Sequence, residues 1–316
     1  MRYGWLVGLM SLLIICSLLV GVSNIQLLDL LQFKGQSTQL FFATRLPRTV
    51  CLILAGATSS ICGLIMQHLT QNKFVSPTTA GTMDSARLGI LVVMLFLPNT
   101  SLLLRSFSAF LFAFAGTLLF LFFARSFPQK NQLMIPLIGV MLGNIIGSIA
   151  TFFAYQFQLI QNMSSWLQGN FATIIRGDYE LLYLTVPLLV VIYFFAYRFT
   201  IIGLGESLAV NLGIDYQKMQ LLGIGLVSLA SAVVLIMVGS IPFLGVIIPN
   251  ITARLYGDQV HKTIGFTALL GSIFLLFCDL VARLVIYPYE IPVSVIVGIL
   301  GAIIFLYLLI RGRKNA

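Results

Sequence analysis

The chain has 316 residues, of which 59% are hydrophobic and only 9% charged, and its mean hydropathy is +1.04. A water-soluble fold must cover itself with polar side chains, so this composition excludes a soluble globular enzyme or binding module. The net charge of +9 comes without a basic cluster interleaved with aromatics. That argues against a nucleic-acid partner and for a membrane orientation signal.

In chain order, apolar runs recur near residues 5–23, 49–67, 79–97, 106–124, 133–155, 181–198, 219–238, 241–256, 263–287 and 291–310. Most approach the ~20 residues that a helix needs to cross a bilayer. The expected fold is an all-α integral membrane protein with about ten transmembrane helices, in one domain covering 1–316. The first run, Trp5 to Ser23, is longer than a secretory apolar region and lacks a clear small-residue cleavage site, so it is read as a first transmembrane helix. The eighth run is short and contains Pro249, which predicts a broken or tilted helix. Cys16, Cys51, Cys62 and Cys278 lie inside apolar runs without a CxxC, as small buried hydrophobes do. His68 and His261 have no second histidine at ligand spacing, so no protein-bound metal is expected.

With ten spans both termini share a side. Placing them inside puts eleven of the eighteen lysines and arginines inside and six outside, with Arg87 within a span. The positive-inside rule therefore predicts N-in and C-in. Ionisable residues inside spans are costly and informative. Asp84 and Arg87 are three apart, Asp279 and Arg283 four apart, and each pair can meet on one helix face. Span five carries Gly139, Gly143 and Gly147 at four-residue spacing, and span two carries Gly56, Ser59, Ser60 and Gly63. Such stripes suit close helix packing; for Gly143 and Asn144, lining a translocation path is the alternative.

Three stretches exceed generic membrane sequence. The first is Arg45-Leu46-Pro47-Arg48, just before span two. The second is Ile202-Gly203-Leu204-Gly205-Glu206-Ser207-Leu208-Ala209-Val210-Asn211-Leu212-Gly213-Ile214, between spans six and seven. The third is Gly239-Ser240-Ile241-Pro242-Phe243-Leu244-Gly245, which continues through Pro249-Asn250. In the second, Gly203 and Gly205 suit a sharp turn, Glu206 suits a helix N-terminus, and Leu208, Ala209 and Leu212 form a small apolar face. Gly213 is suited to end the helix.

In this order, and with Trp166-Leu167-Gln168-Gly169 and Tyr289-Glu290-Ile291-Pro292-Val293-Ser294, the chain resembles permease subunits of type II ATP-binding-cassette importers. That family takes up iron–siderophores, haem and cobalamin. The resemblance covers about Arg45 to Arg311 and is closest to the ferric-siderophore branch of catecholate and mixed-ligand types. It implies a second permease subunit, a heterodimer over a homodimer, two cytoplasmic ATPases and an external substrate-binding protein. It further implies that Arg45, Arg48 and Arg283 meet acidic side chains of that binding protein. About 202–216 would form the segment that couples to the ATPases, and spans five, eight and ten would line the path, with Gly143, Asn144, Asn162 and Ser294 as candidates. Trp166 would anchor the outer interface.

Two departures stand out. Asn250 replaces a histidine common in the family, with Arg254 one residue later than usual, and Asp84-Ser85-Ala86-Arg87 replaces small residues. The sequence has no G-x-x-x-x-G-K-[ST], so ATP and Mg²⁺ are expected on the partner subunits and no cofactor on this chain. It also lacks HExxH, GxSxG and paired carboxylates, which leaves an intramembrane enzyme without a catalytic constellation. Haem or cobalamin transport remains the alternative to a siderophore, and a passive channel would not need the coupling segment.

Overall fold

The computed structural model describes residues 3–21, 39–126, 134–161, 163, 168–177 and 179–313. Each of the ten apolar runs holds a helix. Helix α1 is Tyr3–Leu19, and α2 is Leu46–Leu69, preceded by a π-helical turn at Phe41–Arg45. Helices α3, Thr82–Phe96, α4, Leu102–Ser126, and α5, Met134–Gln156, follow. A 3-10 turn, Glu180–Leu184, leads into α6, Thr185–Ile202. The short α7, Glu206–Asn211, precedes α8, Tyr216–Val238, and α9, Leu244–Tyr256. The last two are α10, Val260–Leu284, and α11, Val293–Arg313. Among the described residues the one strand-like pairing is an isolated bridge between Gln168 and Ser240. Six of the helical runs are long and apolar enough to cross a membrane by length and composition: Phe41–Leu69, Leu102–Ala124, Met134–Gln156, Glu180–Ile202, Tyr216–Val238 and Val260–Leu284.

Helix α2 is the most enclosed, packed against α6, α8, α9 and α10. Its small residues explain how four neighbours fit. A Cβ on Gly56 would lie 2.6 Å from the Gly271 carbonyl oxygen of α10, and one on Gly63 would land on the Gly245 backbone of α9. Lipid supplies no hydrophobic drive between helices, so such backbone-to-backbone contact carries association. Pro47 sits in the first turn of α2, where its missing N–H has no intrahelical partner to lose. The helix therefore starts before the apolar run does.

The stripe on α5 is likewise a packing surface. Gly139 meets Thr79 and Ala80, while Gly143 meets Gly81 and Asp84 at the start of α3. Helices α3 and α4 form a hairpin tied by Thr82 and Thr117 at 2.8 Å and by Ser108 Oγ donating to the Gly89 carbonyl at 2.8 Å.

The eighth run is interrupted, but ahead of Pro249. Gly239, at φ +82°, ends α8, and Phe243, at φ +62°, starts α9. The 13 residues of α9 rise about 20 Å, short of a hydrocarbon core of about 30 Å. Ser240–Phe243 are non-helical and find partners in protein, as backbone at membrane depth must. Ser240 pairs with Gln168, and the neighbouring Gly169 carbonyl accepts from the Ser294 N–H at 3.1 Å.

Helices α2 and α10 define two ends of the bundle. One gathers the C-termini of α1 and α10 and the start of α2. The other gathers the C-termini of α2, α6 and α9, together with α7.

Candidate functional site

At the first end the three arginines singled out in sequence come together, inside the protein. Arg45, Arg48 and Arg283 are 6%, 9% and 5% exposed, around an Asp279 that is fully buried. Arg48 donates to Asp279 Oδ1 from Nε at 3.1 Å and from Nη2 at 2.7 Å, and its Nη1 reaches Glu290 Oε2 at 2.7 Å. Arg283 Nη2 bonds Asp279 Oδ2, closing the expected i,i+4 pair. The rest of the Arg283 fork faces α1, with Nη1 donating to the carbonyls of Ser17 at 3.0 Å and Val20 at 2.8 Å. Arg45 Nη1 donates to the Leu18 and Leu19 carbonyls at 2.9 and 2.7 Å. The last carbonyls of a helix have no intrahelical partner and carry partial negative charge. Two arginines therefore cap α1, and one carboxylate bridges α2 to α10. Arg48 and Arg283 each pair with internal carboxylates. Sequence spacing finds the Asp279–Arg283 pair, but nothing local signals that Arg48 lies beside it or that Glu290 joins them.

At the other end, Gly203 to Ile214 is a turn, a six-residue helix and a second turn. Gly205 has φ +112° and ψ 161°, a region that only glycine occupies without strain. Gly203 has an ordinary φ of −60°. Its requirement is space, since a Cβ there would sit 2.5 Å from the His68 ring. Gly213, at φ +76°, donates to Val210 O at 2.9 Å, and Ile214 N donates to Ala209 O at 3.0 Å. This 5→2 and 6→1 pair is a Schellman termination. Ala209 is completely buried and faces the core, so it is not part of the outward apolar face expected in sequence. The exposed apolar side chains of this segment are Leu204, Leu208, Val210 and Leu212, each about half exposed or more. The helix ends at Asn211, and Leu212 caps it, its N–H still donating to the Leu208 carbonyl at 3.1 Å. Glu206 is exposed in the first turn. Asp215 then caps α8, accepting from Lys218 N at 3.1 Å. Its bond to the Lys218 side chain, together with backbone N–H donors, holds the Asp215 carboxyl below the usual range.

Behind this segment, His68 bonds the carbonyls of Leu64 at 2.9 Å and Asp258 at 3.0 Å, and Lys73 pairs with Asp258 at 2.8 Å. Asn250 Nδ2 donates to the Lys73 carbonyl at 2.7 Å, so the residue that departs from the family pattern ties α9 to this junction. A cavity of about 300 Å³ lies here, lined by Gln67, His68, Gln71, Lys73, Gly203 and Asp258 among others. Arg254 faces α11 instead, donating to Leu308 O at 3.0 Å.

Of the path candidates, Gly143 is buried against α3, with a Cβ position 2.7 Å from Asp84 Oδ2. Close helix packing, for which the stripe is suited in sequence, is what this face does, with path lining the alternative there. Asn144, the next residue, is exposed, and Ser294 is half-buried beside Gly169 and Ser240. Asn162 and Trp166 lie outside the described residues. Asp84 turns to the glycine stripe, and among the described residues no ion pair joins it to Arg87.

A model of the FecCD transport family matches residues 9–311. The chain belongs to that family. Among similar proteins, the petrobactin import system permease protein of Bacillus subtilis is 47% identical over 316 residues, covering all of both chains. The ferric-anguibactin transport system permease protein of Vibrio anguillarum is 41% identical, covering 94% of this chain and 95% of the relative. A solved structure described as an inward-facing metal-chelate type ABC transporter superposes with a TM-score of 0.80 at 26% identity, covering 98% of this chain and 100% of that one. FecCD membership and this neighbour establish a transport permease built as an all-helical bundle, in which a buried ion cluster and a short apolar helix occupy opposite ends.

Proposed function

We propose that the chain is the membrane permease subunit of an ATP-driven importer that carries a ferric siderophore across the bacterial cytoplasmic membrane. The observation that carries this reading is 47% identity, with no end left uncovered, to a permease of a petrobactin import system. Residues 1–316 form a single permease domain of about ten spans with both termini in the cytoplasm, the eighth span being the short α9 together with the non-helical segment ahead of it. The bias of lysine and arginine supports that orientation, as does the separation of the arginine cluster from α7 along α2.

In this reading α7 and its flanking turns, about 202–216, are the lever for two separate ATPases. Gly203, Gly205 and Gly213 shape it, Ala209 anchors it, Glu206 starts its helix, and Leu208 and Leu212 make contact. Exposed leucines on a polar end of a bundle suit a partner surface rather than water. The opposite end receives an external binding protein, with the faces around Arg45, Arg48 and Arg283 docking its acidic lobes, since guanidinium pairs with carboxylate bidentately. A second permease subunit, related rather than identical, completes the path, to which Asn144, Asn162 and Ser294 contribute. ATP and Mg²⁺ belong to the ATPases, and this chain carries no cofactor.

The test is uptake of radiolabelled iron by a strain lacking the gene and by the complemented strain. Ferric petrobactin, ferric anguibactin, haem and labelled cobalamin would be compared. Loss and recovery confined to the siderophores is expected. Unchanged siderophore uptake in the deletion strain would remove the reading.

A further inference from the structure

Arg48 has two carboxylate partners that differ in access. Asp279 has no exposed surface, and it is held by both Arg48 and Arg283. Glu290 has a side chain 22% exposed and is bound to Arg48 through one contact, Nη1 to Oε2 at 2.7 Å. A carboxylate arriving from solvent therefore meets the Arg48 guanidinium on the Glu290 side. The same segment carries Leu284, Val285, Ile286, Tyr287 and Tyr289, all more than half exposed. A charged pair rimmed by exposed aromatic and aliphatic side chains has the anatomy of a protein-docking surface.

We propose that Glu290 is an internal stand-in for a carboxylate of the docked binding protein. Docking exchanges Glu290 for that carboxylate on Arg48 Nη1. This inference rests on the docking reading above and adds the residue that gates it.

The exchange has a mechanical consequence. Glu290 lies three residues before α11, in a turn where Tyr289 N also donates to Ile286 O at 2.8 Å and Ile291 N to Ala282 O at 3.2 Å. Releasing Glu290 removes the turn's ionic tie to α2 and loosens the start of α11, where Ser294 N holds Gly169 O. Asp279 remains in place, so α2 and α10 stay joined while the turn that leads into α11 is released. Arrival of the binding protein is thereby conveyed to the helix that begins beside the non-helical Ser240–Phe243 segment.

The experiment uses the whole importer, with its partner subunits, in lipid nanodiscs. Affinity for its substrate-free external binding protein is measured by interferometry for wild type, Glu290→Gln, Arg48→Lys and the double variant. Glu290→Gln should bind about tenfold more tightly, because the incoming carboxylate no longer displaces a charged, hydrogen-bonded competitor. Arg48→Lys should bind more weakly, and the double variant should match Arg48→Lys. Unchanged or weaker binding by Glu290→Gln, with Arg48→Lys weakened, overturns the exchange and leaves the docking reading standing. Wild-type binding by Arg48→Lys removes docking through Arg48, and the exchange falls with it.

Salt titration gives a second readout that does not depend on assembly of the lysine variant. Wild-type docking trades one ion pair for another, whereas Glu290→Gln gains one. The variant's affinity should fall more steeply with salt; equal slopes overturn the proposal.

Discussion

Replacing Asp279 with asparagine isolates the part of the arginine cluster on which the fold depends. The side chain keeps its size and one carbonyl oxygen but loses the charge shared by Arg48 and Arg283, which contact it at two oxygens. Removing one partner of a buried ion pair costs about 3–5 kcal/mol, because the other charge stays buried without compensation. Here the two cations are unequally exposed to that loss. Arg48 retains Glu290, while Arg283 retains only the α1 carbonyls of Ser17 and Val20 among its described partners, with the Ser17 hydroxyl at 3.4 Å. The partial negative charge of a helix C-terminus recovers up to about 1–2 kcal/mol in a buried setting. The expected loss is thus near the lower limit, about 3 kcal/mol. Denaturant titration of the purified protein in detergent would measure it. The companion Arg48→Met, Asp279→Leu, Arg283→Met should recover most of the loss, as apolar replacement of whole buried ion networks often does. A loss below about 1 kcal/mol for Asp279→Asn would refute the assignment of Asp279 as the shared counter-ion.

Gly205→Ala should lower substrate-stimulated ATPase activity of the assembled importer, because a β-carbon at φ +112° costs about 1–3 kcal/mol and re-aims α7; unchanged stimulation counts against the lever geometry. Leu208→Asp with Leu212→Asp should leave thermal stability of the isolated subunit within about 0.5 kcal/mol, since both side chains are exposed, yet abolish co-purification with the ATPases. Retained co-purification would move the contact surface elsewhere. Gly143→Ala and Gly147→Ala form a matched pair on one helix face. The first places a methyl 2.7 Å from Asp84 Oδ2 and should destabilise by about 1–3 kcal/mol. The second lies in ordinary contact, 3.5 Å from Oδ1, and should be near neutral. Equal effects in a detergent melt would mean that the α3–α5 contact is not as described.

Periodicity and apolarity made the helices legible, because each run needs only its own residues to declare itself. The same locality found Asp279–Arg283, one turn apart, and the Gly213 stop, whose φ is set by the preceding turn. What could not be read was contact at long separation. Arg48 and Asp279 are 231 residues apart, and only the packing of α2 on α10 brings them together. The internal partners of Arg48 were therefore not legible from its own neighbourhood in sequence. Gly203 was legible as a glycine that matters, but for the wrong reason, since its constraint comes from His68 on another helix. Ala209 was grouped with Leu208 and Leu212 because a helical wheel does not show which side of so short a helix the bundle covers. Asp84 and Arg87 have the spacing of a pair, yet the glycine groove of α5 gives Asp84 a place to sit away from Arg87.

The two ends of the molecule are joined by the helices least able to deform. Helix α2 has Arg48 in its first turn and His68 in its last, and α10 has Asp279 near one end and begins just after Asp258 at the other. Between them, Gly56 and Gly271 put backbone against backbone, with Ser272 Oγ donating to Ile53 O at 2.8 Å. A contact without long side chains has few rotamers to absorb a displacement, whereas α11, after first turns buried through Val293 and Val297, packs further along through Phe305 and the facing Phe243 and Phe74 rings. A change at the Arg48 cluster therefore reaches the His68 junction through a stiff pair, and its compliance is concentrated in the more exposed far half of α11. The Glu290 tie sits at the boundary between the stiff pair and the compliant helix. In a fold whose ends must communicate across a bilayer, that boundary is where one exchanged ion pair has the most leverage.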